Sequence, residues 1–159
     1  MAIRIVREAG DRTPGYKVAA SNTVYGGLAV QLTANDTMAV GGAEVVGLAL
    51  ESNVAFPAQA STPDNTVGDQ FNYLDYNRGG LIAVVNGSAE VELYDDGRAA
   101  AGASHPVTYG DSWALMAPVY ADATTGKLTT TAEGNKRIGR VTGITGTGAA
   151  LVLRVMLEL

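Results

Sequence analysis

From Ala150 to Leu159 the chain alternates without a break: Leu151, Leu153, Val155, Leu157 and Leu159 fall on one side, and Ala150, Val152, Arg154, Met156 and Glu158 on the other. Successive side chains on a strand point to opposite faces, so this run predicts a strand with one buried face and one partly covered face, as expected near a subunit contact. The same period of two recurs in shorter pieces. Val24, Leu28, Val30 and Leu32 alternate with Thr23, Tyr25, Gln31 and Thr33, and Val46, Leu48 and Leu50 repeat the pattern. Leu81, Ala83 and Val85 lead into Asn86-Gly87, after which Val91 and Leu93 alternate with Glu90, Glu92 and Tyr94 up to Asp95-Asp96-Gly97. Asn-Gly and Asp-Gly between alternating runs predict hairpins, because both central residues of a type I′ turn need positive φ. Trp113 and Leu115 start a strand that Pro118 ends or places at a sheet edge, and Thr125-Gly126 makes a further turn. No capped amphipathic helix stands out, and residues 34 to 45 hold too many glycines and β-branched residues to form one well. Short strands with turns near every tenth residue predict an all-β fold, a small antiparallel barrel or sandwich.

With 159 residues, 47% of them hydrophobic, the chain is long enough for one core. Residues 18 to 159 are expected to form that domain, preceded by residues 1 to 17 as an N-terminal arm and first strand. The strand rhythm fails over residues 52 to 80, where prolines and aromatics collect in what reads as a long loop excursion. The absence of Cys and the single His leave disulfides, thiolate nucleophiles, zinc fingers and His-based metal triads without parts, so no cofactor is expected. No window reaches the ~18 apolar residues of a membrane span, and the N-terminus lacks a signal-peptide core. The chain therefore reads as soluble and unprocessed, with no membrane partner.

The net charge of -5 is unevenly spread. Residues 1 to 17 carry Arg4, Arg7, Arg12 and Lys17 against Glu8 and Asp11; residues 18 to 126 carry two arginines against twelve acids; residues 127 to 159 carry five bases against Glu133 and Glu158. An acidic middle and sparse basic ends do not make a nucleic-acid stripe. The unevenness is either ordinary solvated charge or a two-faced domain. In the second reading Lys136, Arg137 and Arg140 lie on a basic side that docks on an acidic surface.

Several motifs invite chemistry and lack its parts. Gly126-Lys127 is not a phosphate loop, since Ala121 and Leu128 replace the required Gly and Ser or Thr. Gly143, Gly146 and Gly148 precede a strand rather than a helix, so they read as a turn. His105 could serve Ser104 or Ser112 as a base, but a lone His before a proline reads first as a surface residue. Asp95 and Asp96, and the cluster Asp64, Asn65 and Asp69, lack calcium-loop spacing and read as turn acids. Glu90 and Glu92 share one strand face about 7 Å apart, a spacing open to glycosidase chemistry, yet exposed alternating Glu is the ordinary case. An enzyme is not expected. Phe56, Phe71, Tyr73 and Tyr76 crowd one stretch of an aromatic-poor chain, as core filling or as an interface.

The stretch Gly110-Asp111-Ser112-Trp113-Ala114-Leu115-Met116-Ala117-Pro118-Val119-Tyr120, then Asp122, Thr124-Thr125-Gly126-Lys127-Leu128-Thr129, Gly134-Asn135 and Ile138-Gly139, resembles the capsid cement or decoration proteins of tailed phages. The runs around Gly26-Gly27 to Leu32 and Val45-Val46-Gly47-Leu48-Ala49 resemble that family's N-terminal half, so the resemblance covers most of the chain except about 52 to 80. It implies a β-barrel-like homotrimer, made in the host cytoplasm. On the virion it would sit on the outer capsid surface, bind the major capsid protein and stabilise the head against internal DNA pressure. On that reading Ile3 and Ile5, flanked by Arg4 and Arg7, pair as an added strand with a capsid edge. The competing expectation is a carbohydrate-binding β-module on a phage tail or cell surface, with Tyr73 and Tyr76 against the sugar.

Overall fold

The computed structural model describes residues 2–7, 12–54, 81–97, 99 and 102–159, without the side chains of Arg7 and residues 12–14. Phe56, Phe71, Tyr73, Tyr76, the Asp64 cluster and the expected excursion from residue 55 onward lie outside the described residues. Among the described residues the protein is all-β, as expected, with a closed five-stranded barrel and an antiparallel sheet. The strands β2 (Arg12–Val18), β3 (Ala29–Ala34), β4 (Thr37–Val40), β5 (Val45–Ala49) and β6 (Leu81–Val85) close into a barrel in the order β2-β4-β3-β5-β6. The strands β1 (Ile3–Arg7), β7 (Glu90–Leu93), β8 (Pro118–Ala121), β9 (Leu128–Thr129), β10 (Lys136–Thr145) and β11 (Val152–Leu157) form an antiparallel sheet in the order β1-β7-β11-β10-β8-β9.

The two units share a wall. Ala29, Leu48 and Val85 of the barrel strands pack with Ile3, Leu93, Leu153 and Leu157 of the sheet, while Val30, Ala49, Ile82 and Val84 turn into the barrel. A strand that serves both cores needs apolar residues at consecutive positions, as Val84-Val85 at the end of β6 shows. It also corrects the phase read from sequence. Ile82 and Val84 fill the barrel, Val85 faces the other core, and Leu81 is exposed.

The Asn86-Gly87 turn does not close a hairpin. Gly87 has the expected positive φ of 72°, but β6 belongs to the barrel and β7 to the sheet, so the turn carries the chain from one unit to the other. Asp95-Asp96-Gly97 likewise ends β7 without joining paired strands; Gly97 N–H donates to Asp95 Oδ1 at 3.0 Å. The tight hairpin lies elsewhere, at Asn35-Asp36 between β3 and β4, with Asp36 at φ 56°. Residues 23–28 are not strand; Val24 is pinned there because its N–H donates to Asn53 Oδ1 at 2.8 Å. Trp113 and Leu115 precede a strand without forming one, and Pro118 begins β8. The Thr125-Gly126 turn joins β8 to β9, and the closing run forms β11 with Leu153, Val155 and Leu157 buried; Leu151, just before it, is buried too, but Leu159, expected on the same face, lies past the strand end and is exposed.

Candidate functional site

The N-terminal segment does not stand apart as an arm. It is β1, hydrogen-bonded along β7 with Ile3 opposite Leu93, Arg4 opposite Glu92 and Ile5 opposite Val91. Ile3 is fully buried, so the core holds this strand in place. Tyr94 N–H donates to Ala2 O at 3.0 Å, which fixes the pairing phase. Bonded and non-bonded pairs alternate in an antiparallel ladder, so Ala2 and Arg4 bond to β7 while the amides of Ile3 and Ile5 point outward.

The two ends of the sheet differ. At the β9 end, Leu128 N–H donates to Pro106 O at 2.9 Å and Thr108 N–H donates to Leu128 O at 2.8 Å, so residues 106–108 cover that edge. At the β1 end no described residue pairs with the outward groups. An open row of backbone donors and acceptors is a template for another strand, and folded proteins usually cover or blunt it.

Glu92 sits between two arginines on neighbouring strands. Arg4 Nη2 lies 2.8 Å from its Oε1 and Arg154 Nη2 lies 3.1 Å from its Oε2. The register sets this row, since Arg4 and Arg154 both stand opposite Glu92. Gly143 opposes Arg154 from β10, and a side chain there would press on the Arg154 stem. Glu90 is buried rather than exposed, and it accepts a hydrogen bond from Thr142 Oγ1 at 2.8 Å. The two carboxylates do share a face, but each already has a structural partner.

Lys136, Arg137 and Arg140 all lie on β10 and are exposed. Glu158 takes two of them: Arg137 Nη2 at 2.9 Å and Arg140 Nε at 3.4 Å. The basic cluster expected from sequence is thus partly neutralised by an acid from the end of the chain. Lys136 stays outside that pair.

His105 is fully buried, not a surface residue. Val107 N–H donates to its Nδ1 at 3.1 Å, so Nε2 carries the proton and donates to Leu151 O, also at 3.1 Å. Burial pushes its pKa below the ordinary value; the Leu151 carbonyl and Asp95 oppose that shift, and Lys127 adds to it. Neither serine acts as its partner. Ser104 Oγ donates instead to Asp95 Oδ1 at 2.7 Å, which makes Asp95 a turn acid. The Tyr109 ring stacks obliquely on His105 at 5.3 Å.

Two features of this geometry carry little sequence signal: the Arg4-Glu92-Arg154 row, whose members are far apart in the chain, and the His105 cradle. The arrangement defines a class of protein, an all-β domain with a closed barrel fused to a sheet whose one edge stays unpaired among the described residues. No protein-family model and no curated protein matches this chain.

Proposed function

We propose that this protein is a capsid decoration protein: a homotrimer on the outer surface of a phage head that stabilises the shell against internal pressure. The observation that carries the reading is the asymmetry of the sheet, closed by residues 106–108 at one end and, among the described residues, unpaired along β1 at the other. An extended segment of the major capsid protein adds a strand to the outer part of β1, with main-chain bonds to the partly exposed Ile5 supplying affinity, since Ile3 is fully buried. Arg4 flanks that edge, and Arg7 ends β1. The β8-turn-β9 hairpin and the start of β10 at Lys136 follow the order of features that supports the family resemblance. Three such edges on one trimer turn modest contacts into slow release through effective concentration.

The test is Ile5→Pro. It deletes an outward N–H and leaves the Ala2 and Arg4 bonds to β7 in place, because proline is tolerated on an edge strand whose N–H faces out. The native mass of the wild-type protein should be a trimer, and it should fill heads stripped of decoration. The variant should stay trimeric and lose occupancy. A monomeric wild type, or a variant that fills heads as well as the parent, would refute the proposal.

A further inference from the structure

Beside the His105 cradle the surface opens into a depression of about 240 Å³, lined by Gly102, Thr108, Tyr109, Gly110 and Lys127 among others. We propose that it binds the carboxylate of a single acidic sugar of the uronic acid class, with Lys127 as the anion contact and the Tyr109 ring beside the sugar. This goes beyond the docking role and does not depend on it.

Lys127 is the first ground. Its ammonium is partly withdrawn from water, and among the described residues its one hydrogen-bond partner is Gly102 O at 3.4 Å. That carbonyl is shared, since His105 N–H also donates to it at 3.0 Å. An ammonium has three donors, so two remain for a ligand. Burial lowers the Lys127 pKa, opposed by Asp95, which is what a cation short of partners does. A bound carboxylate would supply the missing acceptor.

The charge balance selects the ligand's charge. Lys127 brings a single positive charge and Asp95 offsets part of it, so the depression favours a monoanion over a phosphate dianion. The lining selects its body. Gly102, at φ 72°, leaves room for the Tyr109 ring, because a side-chain carbon there would stand 2.8 Å from Tyr109 Cε1. Tyr109 keeps 36% of its surface exposed and lines the depression with Lys127. Most ligand pockets exceed ~300 Å³, so this one takes a single ring.

Calorimetric titration with sodium D-glucuronate tests the proposal, with D-glucose and acetate as the neutral and ring-free controls. Glucuronate should bind saturably and more tightly than either control. Lys127→Met should weaken it by roughly tenfold or more, the loss of one charge-assisted hydrogen bond, at an unchanged melting temperature. The NMR-observed pKa of the Lys127 amine should rise on addition of glucuronate. Absence of saturable binding, equal affinity for glucose, or undiminished binding by the Met variant would each overturn the inference.

Discussion

Lowering the pH from about 7.5 to about 5.5 is expected to weaken the fold through one residue, His105. Its neutral ring is fully used: Nδ1 accepts from Val107 N–H and Nε2 donates to Leu151 O. A second proton on Nδ1 would set N–H against N–H in a site with no solvent contact. Burial, the largest influence, therefore holds the folded-state pKa below the ordinary 6.5. The unfolded chain takes up its proton near 6.5, and the folded chain waits for a lower pH. Between those two values the unfolded state binds more protons. The stabilisation is thus complete above about 6.5, falls by at most about 1.4 kcal/mol per pH unit below it, and levels off under the folded value. Total stabilities of single domains run about 5–15 kcal/mol, so such a slope is readily measured.

Urea midpoints across that range, for wild type and His105→Gln, isolate the effect. The Gln amide can accept from Val107 and donate to Leu151 without titrating, so the variant should show a flat profile where the wild type slopes. Asp122 does not confuse the reading. Its carboxylate is held below the ordinary 3.8, chiefly by the Thr125 N–H, so its contribution is present above that value and is lost only as the pH falls below it. A flat wild-type profile, or an equal slope in the Gln variant, would refute the argument.

Ile3→Ala should cost about 2–5 kcal/mol in urea unfolding, as for other fully buried aliphatic truncations, and deletion of residues 1–8 should do at least as much damage. A loss below about 0.5 kcal/mol would mean that β1 is not held by the core, since that is the range of plain surface changes. Met116→Gly should go the other way. Met116 holds φ 66° with 63% of its surface exposed, so glycine removes strain on the order of 1 kcal/mol and gives up little packing. A lower melting temperature for that variant would show that the Met116 side chain contributes more than its conformation costs.

The period-two runs were legible because their cause is local. β11 reads correctly from Val152 to Leu157 since one face meets the core and the other is only partly covered. The barrel strands read less well. Where Leu48 and Ala49, or Val84 and Val85, serve two cores in turn, apolar residues fill both phases and alternation no longer tells inside from outside. The hairpins failed for a different reason. Asn86-Gly87 fixes a local backbone conformation, but whether the strands on either side then pair depends on which sheet each joins, and that is decided by residues far along the chain. Conversely, Asn35-Asp36 places Asp36 at positive φ without a glycine to announce it.

The candidate site shows the same division between local and distant causes. Arg4, Ile3 and Ile5 were legible as a β-competent basic segment, yet nothing within residues 1–17 indicates that β7 would take one edge of it. That pairing requires Val91 and Leu93 to share a core with Ile3, and the core is assembled from both units. His105 is the sharper case. A lone imidazole next to a proline carries no periodic signal, and its polarity alone points to the surface. What permits its burial is the carbonyl of Leu151, 46 positions away, together with an amide two residues on. A polar group enters a core only where partners wait for it, and here one of them is the residue that leads into β11. The residue before the strand that announces the fold most plainly therefore also holds His105 in the neutral form that the folded chain favours.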